Sequence, residues 1–97
     1  MWLAFSEYHI DSIHRAKYMS WAEKMTGRYP SLQIYEGTDQ PGLFVEVWEG
    51  MEHSAFQALK SYRLEETGEG DADLLEMKQW LAQGKERIHM WHFHKAK

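Results

Sequence analysis

The sequence predicts a single α+β domain over residues 1–97, with four strands, two helices and an added helical segment before the last strand. Two observations support this fold class. Stretches with apolar residues at period two alternate along the chain with stretches in which apolar residues recur at three- and four-residue steps. The strand candidate at residues 43–49, Leu-Phe-Val-Glu-Val-Trp-Glu, is largely apolar on both faces. Such a strand is typical of the centre of a sheet, covered on both sides.

The first half of the chain contains the first three elements. Residues 2–10 alternate between two faces and predict a first strand. Asp11 is a residue type that caps helices, and apolar residues near helical spacing predict a helix from residue 12 to about residue 27. Residues 32–35 predict a short second strand. The turn string at residues 37–42 then returns the chain antiparallel into the third strand, residues 43–49.

The second half of the chain contains the remaining elements. Residues 52 to about 62 are amphipathic and predict a second helix. Residues 64–70 are acidic and glycine-bearing, which indicates an exposed connector. Asp71 or Asp73 is expected to cap a further helix that ends at Gly84. Residues 88–94 alternate again and predict the last strand.

The order of the elements defines their arrangement in space. A βαββαβ order with one hairpin in the middle is the ferredoxin-like split βαβ arrangement. Right-handed crossovers place both helices on one face of a four-stranded antiparallel sheet, with the first and third strands in the middle. The opposite face would be bare. Because the strands are apolar-rich on both faces, we expect the bare faces of two copies to stack in a homodimer.

The composition excludes several classes of partner. Eleven basic and fifteen acidic residues give a net charge of −4 without a basic cluster, so no nucleic-acid partner is expected. The chain has no cysteine, which excludes a thiol nucleophile and a cysteine-bound metal. No window approaches a membrane span and the N-terminus lacks a basic, apolar signal, so we expect a cytoplasmic protein without a membrane partner. The 14% of aromatic residues and six methionines exceed the needs of a small core. We therefore expect a dimer interface, a pocket for a small-molecule ligand, or both.

The string Phe-Val-Glu-Val-Trp-Glu at residues 44–49, followed after a short link by Ala55-Phe56, resembles the antibiotic-biosynthesis-monooxygenase-like branch of the dimeric α/β-barrel superfamily. The resemblance implies a homodimer through stacked sheets, with one ligand cavity per subunit between sheet and helices. It implies chemistry without a cofactor, as in the quinone-forming monooxygenases of that branch. Haem-degrading members carry an Asn on the first strand, a Trp on the third and a His on the second helix. Trp48 fits, but Glu7 replaces the Asn and Ala58 and Leu59 occupy the His position, so haem degradation is not expected.

The resemblance also implies a site. If Trp48 marks the helix-facing side of the sheet, Phe44 and Glu46 share that side. The matching residues of the first and last strands are then Leu3, Phe5, Glu7 and His9, with His89, Trp91 and Phe93. We expect Glu46 and Glu7 to act as acid or base, with His9 and His89 as partners, on a small planar or carbonyl-bearing molecule. The alternative is that Glu7 or Glu46 pairs with Arg15, Arg63 or Arg87 and holds the sheet together.

Aromatic side chains are the candidate ligand contacts. The predicted ligand-binding residues are Phe5, Tyr18, Trp21, Phe44, Trp48, Trp80 and Trp91. At helical spacing, residues such as Tyr18, Trp21 and Trp80 are more often core residues than pocket walls. His92 and His94 share a face but have no third ligand in view, so we predict no metal site. Two functions remain open: a cofactor-free monooxygenase-like enzyme, with isomerase-like proton transfer as a variant, or a non-catalytic dimer that binds a ligand or a protein through the same cavity.

Overall fold

The computed structural model describes residues 1–97 and contains four strands and two α-helices. In chain order these are β1 (Trp2–His9), α1 (Arg15–Arg28), β2 (Leu32–Glu36), β3 (Leu43–Glu49), α2 (His53–Glu65) and β4 (His89–His94). A 3₁₀ turn, Ser12–His14, precedes α1, and a longer 3₁₀ segment, Ala72–Trp80, precedes β4. The predicted order of elements is confirmed, including the added helical segment.

The four strands form one antiparallel sheet in the order β2-β3-β1-β4. The first and third strands therefore occupy the middle, as the ferredoxin-like arrangement predicts. Tyr18 of α1 contacts Tyr8 of β1, and Arg63 of α2 contacts Glu46 of β3. Both helices thus cover the same face of the sheet, which we call the covered face, and the opposite face is bare.

Strand register decides which side chains lie on the covered face. Ser6 is the antiparallel partner of Glu46, and Tyr8 is the partner of Phe44. Because directly opposed residues in an antiparallel pair point to the same side, the even-numbered residues of β1 share the covered face with Glu46. Ser6, Tyr8, Phe44 and Glu46 are all buried.

This register corrects one prediction. Leu3, Phe5, Glu7 and His9 of β1 lie on the bare face, and so do His89, Trp91 and Phe93 of β4, which pair with the odd-numbered residues of β1. The expectation that these seven residues share a face with Trp48 is wrong. A shift of one residue in pairing exchanges the two faces of a strand, and alternation alone does not fix the pairing.

The core lies between the covered face and the helical layer. The layer contributes Tyr18, Trp21 and Met25 from α1, Phe56 from α2, and Leu74, Met77 and Trp80 from the 72–80 segment. The indole N–H of Trp21 donates to the carbonyl oxygen of Asp73 at 2.7 Å, which ties α1 to the start of that segment. Trp21 and Trp80, predicted as ligand contacts or core, are therefore core residues.

Aspartates begin two of the helical segments. The side chain of Asp11 accepts a hydrogen bond from the Ile13 amide at 3.1 Å, and that of Asp71 accepts one from the Asp73 amide at 3.0 Å. Asp71, of the two predicted candidates, is thus the cap. The segment after it is 3₁₀ rather than α-helical and ends at Trp80, before the predicted end at Gly84. No helix of the chain has both the length and the apolar character that a membrane crossing requires.

Candidate functional site

Glu46 lies at the centre of the covered face. It stands in one row across the sheet with Ile34 of β2 and Ser6 of β1, and its side chain is 0% exposed. Its carboxylate accepts three hydrogen bonds: from the Tyr8 hydroxyl at 2.6 Å, from Nη1 of Arg63 at 2.6 Å and from the Trp48 indole at 3.0 Å. The carboxylate is therefore enclosed, and all three of its observed donors belong to the protein.

Arg63 is the counter-charge of Glu46. It projects from α2, is 0% exposed, and its Nε donates to the carbonyl oxygen of Leu74 at 2.9 Å. Burial by itself would lower the pKa of Arg63, but the adjacent Glu46 carboxylate outweighs it and raises the pKa above its ordinary value. Nη2 of Arg63 and the hydroxyl of Ser6 have no hydrogen-bond partner in the protein. The pair links α2 to the middle of the sheet.

Two tyrosines extend this cluster toward α1. The hydroxyl groups of Tyr8 and Tyr18 are 2.8 Å apart, and Tyr8 donates onward to Glu46. Burial raises the pKa of Tyr8 well above its usual value, and the neighbouring Glu46 carboxylate adds to the shift. Burial likewise raises the pKa of Tyr18. Both phenols are therefore neutral at physiological pH, and a hydrogen-bond chain runs from Tyr18 through Tyr8 to Glu46.

The structure separates the four predicted acid–base residues. Glu46 lies on the covered face, whereas Glu7, His9 and His89 lie on the bare face. Glu7 and His89 are directly opposed in the β1–β4 pair. The expectation that these four side chains gather in one space is therefore wrong. The alternative that Glu46 pairs with Arg63 describes the observed geometry.

The predicted ligand contacts divide in the same way. Phe5 and Trp91 oppose each other on the bare face, where Trp91 is 43% exposed. Tyr18 and Trp48 are buried in the core, where Trp48 packs against Tyr29 at a ring-centroid distance of 5.2 Å. Phe44 is also buried, but its ring reaches the floor of a surface cleft. Of the predicted ligand-binding residues, Phe44 is the one that lines this cleft.

The cleft lies between α1 and the edge of the sheet and has a volume of about 480 Å³. Its apolar lining includes Met19 and Ala22 of α1, Ile34 of β2 and Phe44 of β3. β2 is an edge strand, so no further strand closes this side. Sequence reasoning did not single out Met19, Ala22 or Ile34. The available signal was weak: Met19 and Ala22 are three residues apart on one helix face, and Ile34 is the inward residue of a short strand.

An ion pair lies at one end of the cleft. Arg15 donates to both carboxylate oxygens of Glu36, at 2.5 and 2.6 Å, and the Gly42 amide donates to the same carboxylate at 2.9 Å. The Arg15 hydrogen bonds, followed by that of Gly42, lower the pKa of Glu36 to about 2. Arg15 also lies 5.7 Å from the centroid of the Phe44 ring. Glu36 is thus a fixed anion with its charge balanced.

His92 contacts both the protein backbone and a second histidine. His92 Nε2 lies 2.7 Å from the carbonyl oxygen of Met51, and the rings of His53 and His92 are 5.2 Å apart. No group of three or more His, Asp or Glu side chains is placed to hold a metal ion.

Two crystal structures share this architecture over the whole chain. One is of a candidate antibiotic biosynthesis monooxygenase from Deinococcus radiodurans, with a TM-score of 0.69 and 11% identity, and the match covers 100% of this chain and 94% of that one. The other is of an antibiotic biosynthesis monooxygenase, with a TM-score of 0.65 and 14% identity, and the match covers 100% of both chains. The chain has a monooxygenase-like fold. No protein-family model matches it, and no curated protein matches its sequence.

The monooxygenase-like fold confirms the resemblance drawn from residues 44–49 and Ala55-Phe56, at the level of architecture. At 11% and 14% identity the likeness concerns the fold alone. One fold of this size hosts many chemistries, so the function follows from the cleft and from the cluster around Glu46.

Proposed function

We propose that the chain is a homodimer that binds a small organic molecule in the cleft between α1 and β2. The cleft itself carries the proposal: it is a concave site of about 480 Å³ with apolar walls and a few polar groups. Ligand sites are typically concave, mainly apolar and supplied with a small number of polar groups that orient the ligand. The names of the two similar structures, antibiotic biosynthesis monooxygenases, support a small-molecule role for this fold.

The bare face of the sheet supports the homodimer. It presents Phe5, Val45, Val47, Trp91 and Phe93, and Phe93 is 52% exposed. A sheet face in contact with water normally carries polar side chains, and a continuous apolar patch marks an interaction surface. A second copy is the fitting partner because stacking two such faces about a two-fold axis covers both at once.

The enclosure of Glu46 favours binding without catalysis. Glu46 and Arg63 have no exposed surface, and every donor to the carboxylate belongs to the protein. We propose that this pair holds α2 on the sheet. Phe44 and Ile34 line the cleft, whereas Glu46 and Arg63 do not, so a bound molecule would contact these apolar side chains rather than the ion pair.

A second candidate is cofactor-free monooxygenase-like chemistry in the same cleft. One observation favours it: the Tyr18 ring packs on Phe44 at a centroid distance of 4.3 Å, and the hydrogen-bond chain from Tyr18 reaches Glu46. In this candidate the chain of hydroxyl groups accepts a proton from an enolisable or phenolic substrate and passes it to Glu46.

The binding proposal is tested by titrating small apolar aromatic molecules into the dimer and following backbone amides by NMR. We expect shifts at residues 19–26 and 34–36. Met19→Gln, which changes an exposed cleft residue, should weaken binding, because it removes apolar area from one wall. Ile13→Gln, at a position 79% exposed and outside the cleft, is the matched control and should leave binding unchanged. Shifts confined to other surfaces would contradict the proposal.

Tyr8→Phe separates the two candidates. It interrupts the hydroxyl chain while the Glu46–Arg63 contact is left in place. Where the dimer only binds, affinity in the cleft should be unchanged and no oxygen consumption should accompany ligand addition to the wild type. Oxygen consumption by the wild type that Tyr8→Phe abolishes would establish the second candidate.

A further inference from the structure

We infer that the cleft between α1 and β2 selects ligands that carry a positive charge: molecules with an apolar body and one ammonium group. This inference rests on the proposed function and adds the chemical class of the ligand. It follows from the charged side chains that line the cleft and from the ion pairs that the neighbouring lysine and arginine of α1 form elsewhere.

Glu23 and Glu36 are the charged side chains in the lining. Glu36 is already paired with Arg15 through two hydrogen bonds, so its charge is balanced. Glu23 is exposed and takes part in no ion pair of the structure. The cleft therefore has one free carboxylate and no lysine or arginine in its lining.

The cations of α1 near Glu23 are turned toward the other side of the helix. Lys24 lies 3.6 Å from Asp73 and 3.4 Å from Glu76, and Arg28 lies 2.5 Å from Asp71. All three acidic partners belong to the 72–80 segment or its cap, and none of them lines the cleft. Positions three and four residues from Glu23 hold Met19, Ser20, Thr26 and Gly27, so no cation of its own helix face competes for it.

Hydroxyl groups beside Glu23 complete a polar strip. Ser20 and Thr26 lie one helical turn before and after it, and both line the cleft. The Thr26 hydroxyl donates its hydrogen to the Ala22 carbonyl at 2.9 Å, so the Thr26 oxygen can act toward a ligand only as an acceptor, with two lone pairs. A strip with a carboxylate and hydroxyl acceptors matches an ammonium group, which offers three donors and no acceptor.

The opposite wall provides the apolar contact. Ile34 and Phe44 form the sheet side of the cleft, and Met19 lies across from them on α1. A planar apolar body can lie on these side chains while its charged head reaches Glu23 at the rim. A carboxylate head in the same position would meet Glu23 as a like charge.

Three probes that share one ring system test the inference: naphthylmethylamine, naphthylmethanol and naphthoate. Each is titrated at low salt, with dissociation constants and contact sites taken from amide shifts. We expect the amine to bind tighter than the alcohol by roughly two- to fivefold, the range for an exposed ion pair, and naphthoate to bind weakest. Added salt should reduce the advantage of the amine, because exposed charges are screened.

Glu23→Gln should remove the preference for the amine over the alcohol. Glu69→Gln makes the same change of charge in the exposed 66–70 connector, outside the cleft, and should keep the preference. Equal affinities for amine and naphthoate at the cleft, or a preference that survives Glu23→Gln, would overturn the charge selection while the cleft stands as the binding site. The absence of cleft shifts with all three probes would overturn the proposed function as well.

Discussion

We expect the buried ion pair of Glu46 and Arg63 to stabilise the packing of α2 on the sheet, and substitutions at these two residues test this. Glu46→Gln keeps the shape of the side chain but leaves the Arg63 guanidinium buried without a counter-charge. Breaking one partner of a buried ion pair costs about 3–5 kcal/mol. A domain of this size has about 5–15 kcal/mol of stability in total, so the loss is about a fifth of it or more. At about 4–8 °C per kcal/mol, the melting temperature should fall by at least about 12 °C.

Replacing both partners of the ion pair should cost less stability than replacing Glu46 alone. The Glu46→Gln, Arg63→Met double variant removes both charges and also removes Nη2 of Arg63, which has no partner in the protein. Exchanging a buried ion pair for well-packed hydrophobic residues of similar volume is often neutral or stabilising, whereas one unpaired buried charge is strongly destabilising. We therefore expect the double variant to be more stable than Glu46→Gln alone, although it contains one more substitution.

Urea unfolding followed by tryptophan fluorescence measures both effects, at one fixed protein concentration because the proposed dimer would add to stability. Glu65→Gln is the matched control, since Glu65 is an exposed residue of α2 without an ion pair, and it should change stability by less than about 0.5 kcal/mol. A loss below about 1 kcal/mol for Glu46→Gln, or a double variant less stable than it, would refute the reasoning.

Three further predictions concern the cleft, the bare face and a turn. The pKa of Glu36 lies at about 2 against an ordinary 4.5, so its pairing stabilises the fold above about pH 4.5 and the stabilisation is lost as the pH falls toward 2. Arg15→Gln should therefore be less stable than the wild type at pH 6, and the difference should shrink as the pH falls toward 2; a constant difference across that range would contradict the pairing. In sedimentation velocity we expect the wild type to be a dimer and Val45→Lys, on the bare face, to be a folded monomer; the same sedimentation coefficient for both would disprove stacking through this face. Gly42→Ala should lose about 1–2 kcal/mol in urea unfolding, since φ is +91° and the new Cβ would lie 3.1 Å from a carbonyl oxygen. Gly27→Ala, which meets no atom within 4 Å, should not destabilise the chain, and equal losses at the two glycines would contradict the role of φ.

The spacing of apolar residues along the chain predicted most of the secondary-structure elements. The alternation in β1 and β3 and the helical spacing in α1 and α2 predicted element type and order, because these periods arise from the backbone geometry of each element. The 72–80 segment was predicted as helical, but its 3₁₀ geometry was not, since three- and four-residue spacings overlap in a short apolar run. The apolar character of both faces of β3 also placed that strand correctly in the middle of the sheet.

The sequence predicted less of the candidate site than of the fold. Phe44 and Glu46 were singled out on β3, and the structure puts both on the covered face. Glu7 and His9 were assigned to the same face, and the register puts them on the other one. The sequence did not predict the cleft. The cleft forms only where α1 approaches the edge strand β2, and its walls come from three separate elements.

By itself the sequence determined the βαββαβ order, the central place of β3 and the surplus of apolar side chains on its strands. Each of these follows from spacing within one stretch of chain, or from composition. The tertiary structure decided that Ser6 rather than Glu7 lies beside Glu46, and that Arg63, seventeen residues further along, neutralises Glu46. Those outcomes depend on strand register and on where a helix crosses the sheet, and both are set by packing between segments distant in sequence.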